Sequence, residues 1–345
     1  MSGETSTVSH LFDVMSTDQG GITETTGENG LASSSSNGAL FYFELFVVVI
    51  GVVGAAANGL VLYAMVASKQ HKKHVLIVNQ NALDLYSCLL LVIVYGLKRG
   101  NMHLSGSLGY WLCMLLYGES LLFGGIFSSW VNLMIITIER YLKIVHSKWS
   151  KKKLRKWMTY MAIACTWIIG FIHELTVAFE TTAVIGGACY VYANLIPASR
   201  MPLAIYYFFF TYVIVLVIFT FCYVKILMVI HRQARVMASH NAGESSAAQA
   251  PLNKIQTNVI KTMIFVCAFY AIAWLPEKIF ILLMGLDPNL TFVDGYYVTL
   301  FVGFLYICAN PFIYALKFDP VRRILKGLIL CQEVPEPADS GMQLT

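Results

Sequence analysis

The chain has 345 residues, of which 57% are hydrophobic and 12% charged, with a formal net charge of +5. Soluble domains carry roughly a quarter charged residues, so this composition excludes a water-soluble globular protein and calls for a bilayer to solvate the apolar side chains. The basic residues alternate with apolar stretches instead of gathering on one soluble domain, which argues against nucleic acid as a partner.

Residues 1–38 are polar, rich in Ser, Thr and Gly, and contain no Lys or Arg. They lack the basic start and apolar core of a secretory signal peptide. A disordered extracellular tail over residues 1–39 is expected, with the first apolar span acting as its own uncleaved signal anchor.

A bilayer core of roughly 30 Å needs about 20 apolar residues as helix. Seven stretches meet that test: Leu40–Ala67, Val75–Leu97, Leu112–Lys143, Trp157–Ala178, Pro202–Ile230, Gln256–Met284 and Val293–Leu316. Their connections are short, and the longest, residues 231–255, is Ala- and Ser-rich. No internal repeat is visible, which counts against repeat-built transporter folds.

Span two carries Asp84, flanked by Asn81 and apolar residues. A carboxylate inside a span is costly, and Asn58 in span one and Asn310 in span seven are its expected partners. A structural hydrogen-bonded cluster and a cation site or switch are both open readings. Span three ends in Glu139-Arg140-Tyr141. Its Arg can pair locally in one state and meet a partner protein in another; the plain alternative is an arginine snorkelling at a helix end. Span six carries Trp274-Leu275-Pro276 and span seven Asn310-Pro311-Phe312-Ile313-Tyr314. Each Pro removes a backbone hydrogen bond and kinks its helix. Beyond span seven, apolar positions 321, 324, 325, 328 and 329 recur at helical spacing with a basic opposite face. That pattern predicts an amphipathic membrane-surface helix over residues 317–331, followed by a cytoplasmic tail over 332–345.

Orientation follows from basic residues. The turns after spans one, three and five hold Lys69, Lys72, Lys73, Lys148, Lys151, Lys152, Lys153, Arg155, Lys156, Arg232, Arg235 and Lys254, and the tail holds Arg322, Arg323 and Lys326. The opposite loops have Lys98, Arg99 and Arg200. The N-terminus is therefore expected outside and the C-terminus inside. Cys113 and Cys189 then both fall at the oxidising face, and a bridge from the top of span three to the loop after span four is expected. Asn289-Leu290-Thr291 is a glycosylation sequon in the last outer loop, and Cys331 is a candidate for palmitoylation.

Taken together, these residues resemble the rhodopsin-like (class A) G-protein-coupled receptors across residues 40–331. The marks are Asn58, Asn81-x-x-Asp84 with Ala82, Trp111-x-Cys113, Glu139-Arg140-Tyr141, Trp167, Trp274-x-Pro276 and Asn310-Pro311-x-x-Tyr314, in order on successive spans. The resemblance implies an all-α fold, a seven-transmembrane bundle over 40–316 with a short cytoplasmic eighth helix, sited in the plasma membrane and without enzymatic activity. It implies an extracellular ligand, a heterotrimeric G protein, arrestin and receptor kinase as partners. Asp84, Ser129 and Asn310 would line a sodium site, the one structural ion expected and no other cofactor. Arg140 would be held by Glu139 at rest and then released to the G protein, with Tyr223 and Tyr314 swinging beneath it and span six pivoting about Pro276.

The chain departs from the family pattern at several points. Val215 replaces the usual Pro of span five, so a local bulge there is not expected on Pro grounds. Tyr270 stands where Phe is usual, and Tyr306 where sodium-site receptors have Asn. Gln256 lies twenty residues before Pro276 in place of an acid, which implies measurable ligand-free activity. Cys113 precedes Arg140 by 27 residues, two more than usual, and a bulge near Gly124-Gly125 is expected to absorb them.

For the ligand, a retinal Schiff base would need a Lys within span seven, where Lys317 lies beyond the Asn-Pro motif. An amine receptor would need Asp in upper span three, which instead offers Glu119 followed by Ser120, Leu121, Leu122 and Phe123. Glu277 and Lys278 lie three and four residues beyond Trp274, on its helix face. Burying both charges is costly unless they pair with each other, with Glu119 or with a ligand; His173, Glu174 and Arg200 could join them. The expected pocket is Glu119, Phe123, Trp274, Glu277, Lys278, Leu300 and Phe304, and a short peptide is the favoured ligand over a small polar or melatonin-like molecule. A transporter or channel using Asp84, Glu119, Glu277 and Lys278 as an ion path is the rival, opposed by the odd span number and the absent repeats.

Overall fold

The computed structural model describes residues 30–100, 102–191, 197–240, 250–287, 293–317, 322–324 and 327. Within those segments the side chains of residues 30–39, 197–198, 234, 237–240, 250–259, 293–294 and 314–317, Tyr314 among them, are not described. Residues 1–29, Asn289 and Cys331 lie outside the described residues, as does most of the expected surface helix over 317–331.

Seven helices are long and apolar enough to cross a membrane. They run Gly30–Ala67, Val75–Lys98, Gly106–Val145, Lys156–Thr181, Pro197–His240, Ala250–Leu286 and Val293–Lys317, the third and fifth being interrupted. Large apolar side chains face outward: Ile172, Phe179, Val217 and Ile272 are all more than half exposed. Polar ones turn inward: Asn58, Gln80, Asn81, Asp84, Ser128, Asn132 and Asn310 have no exposed surface. Such an arrangement suits a bundle whose surroundings are as apolar as its own surface. Short connections set consecutive helices side by side. One of them holds a helix over Ser147–Lys153, and span four starts three residues later at Lys156.

The third span begins at Gly106, six residues before its expected start, and is not one continuous α-helix. A π-turn occupies Cys113–Tyr117, closed by the Gly118 N–H on the Cys113 carbonyl at 2.6 Å, and Glu119 follows in the left-handed region at φ 60°. A regular helix then runs Ser120–Val145. The excess spacing between Cys113 and Arg140 is therefore absorbed at 113–119, not at Gly124-Gly125 as the sequence suggested. Those two glycines serve close packing instead. A Cβ on Gly124 would lie 2.9 Å from the Phe171 ring, and one on Gly125 2.7 Å from the Tyr86 ring. Spans two, three and four meet there only because side chains are missing.

Cys113 is joined to Cys189 by a 2.02 Å S–S bond. Cys189 sits in a small antiparallel hairpin, β1 (Ala183–Ile185) and β2 (Ala188–Tyr190), turned by Gly186-Gly187 with φ 61° and 85°. Positive φ at both turn positions is what a type I′ hairpin requires. The hairpin closes one end of the bundle, the disulfide end; Arg140 marks the other.

Losing this bridge costs about 2–5 kcal/mol in small domains. Cys113→Ser should therefore lower the melting temperature of the purified protein and reduce its surface delivery, scored by immunolabelling of intact cells. Unchanged values in both would show that the hairpin is held without the bond.

Candidate functional site

Toward the disulfide end the helices enclose a cavity of about 250 Å³. Its wall carries Glu44, Lys98, Glu119, Glu174, Glu277 and Lys278, with aromatic surface from Tyr95, Phe123, Trp130 and Tyr207. Of the residues expected there, Glu119, Phe123, Glu277, Lys278 and Leu300 line it. Trp274 is fully buried beneath it, and Phe304 lies behind it against Tyr95 and Phe123 at ring separations of 5.9 and 6.4 Å.

The wall charges are arranged in pairs. Lys278 meets Glu277 at 3.1 Å, both about 97% buried. Lys98 meets Glu119, which the left-handed backbone at the break in span three presents sideways. Arg99, just outside the lining, reaches Glu44 at 3.8 Å, and His173 Nδ1 lies 3.0 Å from Glu174. Lys98 reads as a loop residue in the sequence but belongs to the wall. Glu44 was passed over, although it is the one charged residue in an otherwise apolar first span. Among the described residues Arg200 does not line the cavity.

Lys278 links the cavity to the core. Its ammonium stands 4.7 Å from the Trp130 ring, 5.7 Å from Trp274 and 5.8 Å from Tyr207, within cation–π range. Trp130 packs edge-on against Trp274 at 4.8 Å and Tyr270 at 5.7 Å. A second tie follows from the two departures in spans five and six. Despite Val215, span five holds a π-turn at Phe209–Val213. The Tyr270 hydroxyl donates to the Thr211 carbonyl inside that turn, and the Tyr212 hydroxyl donates to the Ala271 carbonyl at 2.7 Å. Tyr in place of Phe thus supplies the donor that lets a turn form without Pro. The departures compensate.

Below lies a polar relay. Asp84, with no exposed surface, accepts from Ser129 Oγ at 2.9 Å, Asn310 Nδ2 at 2.9 Å and Gln80 Nε2 at 3.3 Å. Gln80 Oε1 accepts from Asn132 at 2.8 Å, Asn132 Oδ1 from Asn79 at 3.0 Å, and Asn79 Oδ1 from Trp167 Nε1 at 3.0 Å. Seven side chains so tie spans seven, two, three and four. Asn58 is not a partner of Asp84; it donates to the Gly54 carbonyl at 3.0 Å and touches Cys88 Sγ at 3.8 Å, because the close approach at Gly54 turns it toward its own helix. Among the described residues Asn310 Oδ1 and Ser87 Oγ are buried oxygens without a hydrogen-bond partner, and such oxygens suit a hard cation.

At the far end, Arg140 Nε stands 3.8 Å from Glu139 Oε2, while Glu139 Oε1 takes Lys143 at 2.6 Å. Arg140 Nη2 lies 3.4 Å from His74 Nδ1. Burial, and then the Arg140 guanidinium, pull His74 down from 6.5 to about 4, which leaves the ring neutral and Nδ1 able to accept. His74 precedes span two and carried no signal in the sequence. Tyr223 is buried with its hydroxyl 3.2 Å from Thr137 Oγ1, and Tyr141 OH is 3.2 Å from His146 Nε2. Pro276 and Pro311 lie inside their helices, as the sequence requires.

The model of the 7 transmembrane receptor (rhodopsin family) matches residues 57–314, well over half of the chain. The chain belongs to that family. Melanin-concentrating hormone receptor 1 of Rattus norvegicus is 26% identical over 309 residues, covering 81% of this chain and 77% of the relative. Rhodopsin of Alloteuthis subulata is 27% identical over 336 residues, covering 89% and 74%, and lysophosphatidic acid receptor 3 of Rattus norvegicus 24% over 301 residues, covering 83% and 77%. The receptor is thus a multi-pass membrane protein and not an enzyme.

The buried pair in the receptor's cavity gives a direct check. Removing one partner of such a pair costs about 3–5 kcal/mol, whereas replacing both by apolar residues is often neutral. Lys278→Met should lower the melting temperature sharply, and Glu277→Leu/Lys278→Met should recover most of it. A double variant no more stable than the single would show that the pair is not coupled.

Proposed function

We propose that the receptor binds an extracellular peptide in the charged cavity and activates a heterotrimeric G protein at the Arg140 end. The observation that carries this reading is the cavity wall, in which charges of both signs surround an aromatic floor. Peptides present cations, anions and amides together and can exchange partners with such pairs. One relative is named for melanin-concentrating hormone and another for lysophosphatidic acid. A purely anionic lipid headgroup fits poorly here, since four carboxylates face two ammoniums. A retinal reading also fits poorly, because Lys278 sits in span six paired with Glu277. A small polar or melatonin-like molecule is the lesser alternative.

The disulfide end is taken as extracellular because disulfides form in oxidising compartments. The opposite end, with its Lys- and Arg-rich turns, is taken as cytoplasmic and the receptor as resident in the plasma membrane. Binding is read by Lys278. A ligand that draws the ammonium from Trp130 loosens the contact of Trp130 with Trp274 and Tyr270, and span six then pivots about Pro276. Arg140 leaves Glu139 and His74 for the G protein, with Tyr223 and Tyr314 closing behind it. Asp84, Ser129 and Asn310 would hold a sodium ion, which supplies a countercharge that steadies the resting bundle. Arrestin and receptor kinase are the expected partners of the active form, with modification of Asn289 and Cys331 outside and inside.

The test is ligand-free G-protein activation in cells at matched surface expression. A charge-assisted contact is worth about 1.5–3 kcal/mol, so Arg140→Ala should lower activation roughly tenfold or more. Signalling retained in the variant would overturn the assigned role.

A further inference from the structure

We infer that Glu174 is the docking point for a positively charged group of the ligand, a guanidinium or a primary ammonium. The inference deepens the ligand-site reading and rests on it. Three of the four cavity carboxylates face a permanent cation: Glu277 has Lys278, Glu119 has Lys98 and Glu44 has Arg99. Among the described residues Glu174 pairs only with His173, whose imidazole is not a permanent cation. Even with Arg99 counted from just outside the lining, the wall's four carboxylates meet three permanent cations.

The surroundings of Glu174 are built for a cation and short of a ligand. Glu174 lies near enough to Glu277 and Tyr206 to interact with both electrostatically, and Glu277 is already paired with Lys278. Tyr207 lines the same wall and already lies 5.8 Å from one ammonium, that of Lys278. His173 cannot swing away to complete the balance. Its ring is stacked flat on Phe127 at 4.2 Å and beside Tyr206 at 5.7 Å. Its side chain is nine-tenths buried, and its Nε2 has no hydrogen-bond partner among the described residues.

A second buried donor points the same way. Trp130 lines the cavity, is 4% exposed, and its indole N–H has no acceptor among the described residues. Buried polar groups are nearly always satisfied, and uncompensated charge within a membrane bundle marks functional sites. A group that brings a cation to Glu174 and a carbonyl toward Trp130 answers both. An arginine or lysine residue of a peptide carries that combination.

The test uses the full chain in nanodiscs with two probes, N-acetyl-arginine amide and its neutral isostere N-acetyl-citrulline amide. At tenfold its dissociation constant the arginine probe should raise the melting temperature by about 2–4 °C, with no shift from citrulline. Glu174→Gln should abolish the arginine shift, and Glu180→Gln, at an exposed position outside the cavity lining, should keep it. Equal shifts from both probes, or an arginine shift that survives Glu174→Gln, would overturn the docking point while leaving the cavity a ligand site. No shift from either probe would overturn the docking point and the ligand cavity together. The comparison of probes on the unmodified chain needs no variant, so a poorly folding Glu174→Gln leaves it decisive. Signalling through Arg140 is read separately and stands or falls by itself.

Discussion

Everything in this bundle is arranged around charge that has to be buried. Asp84 has no exposed surface, and its carboxylate is acceptable there because spans two, three and seven each send it a donor. Burial without those donors would cost several kcal/mol. The relay through Gln80, Asn132 and Asn79 to Trp167 extends the obligation to span four. These spans are locked together by groups that have nowhere else to go. Span six is tied differently. Its hydrogen bonds among the described residues run mainly to span five, through Tyr270 and Tyr212, with the weaker Cys267 contacts near Tyr223 and Thr137. Span six stands outside the relay and holds Pro276 within its length, where a hinge would have to lie.

Two further charge devices sit above and below that relay. Above, Lys278 is neutralised by Glu277 and faces three aromatic rings, Trp130 among them, at the cavity wall. Below, Arg140 is held by a loose contact with Glu139 and by a neutral His74, with Lys143 competing for the same carboxylate. The Lys278 pair is close and buried, whereas the Arg140–Glu139 contact is longer and shares its carboxylate with Lys143.

Much of the architecture was legible in the sequence because it depends on local pattern. Hydropathy over about 20 residues defines a span, and the Asp84–Asn310 and Cys113–Cys189 pairs follow from residues that have few tolerable partners. What was not legible depends on tertiary register. The two-residue excess in span three was placed at Gly124-Gly125, but close packing of Phe171 and Tyr86 forbids distortion there and moves it to 113–119. Asn58 was assigned to Asp84, yet the approach of spans one, two and seven at Gly54 turns it elsewhere. Lys98 and His74 sit at span ends, where sequence cannot say whether a side chain points to water or back into the bundle. Val215 and Tyr270 each look like a loss when read alone, and only the geometry shows that one answers the other.

The central claim is that span six moves against span three when Arg140 engages a G protein. It is tested most directly by the distance between spin labels at Lys148 and Lys261, both exposed, in a receptor with Cys165 and Cys331 replaced. Addition of nucleotide-free heterotrimeric G protein should lengthen that distance by roughly 5 Å or more, about one helical turn. An identical distance distribution with and without bound G protein would contradict the account.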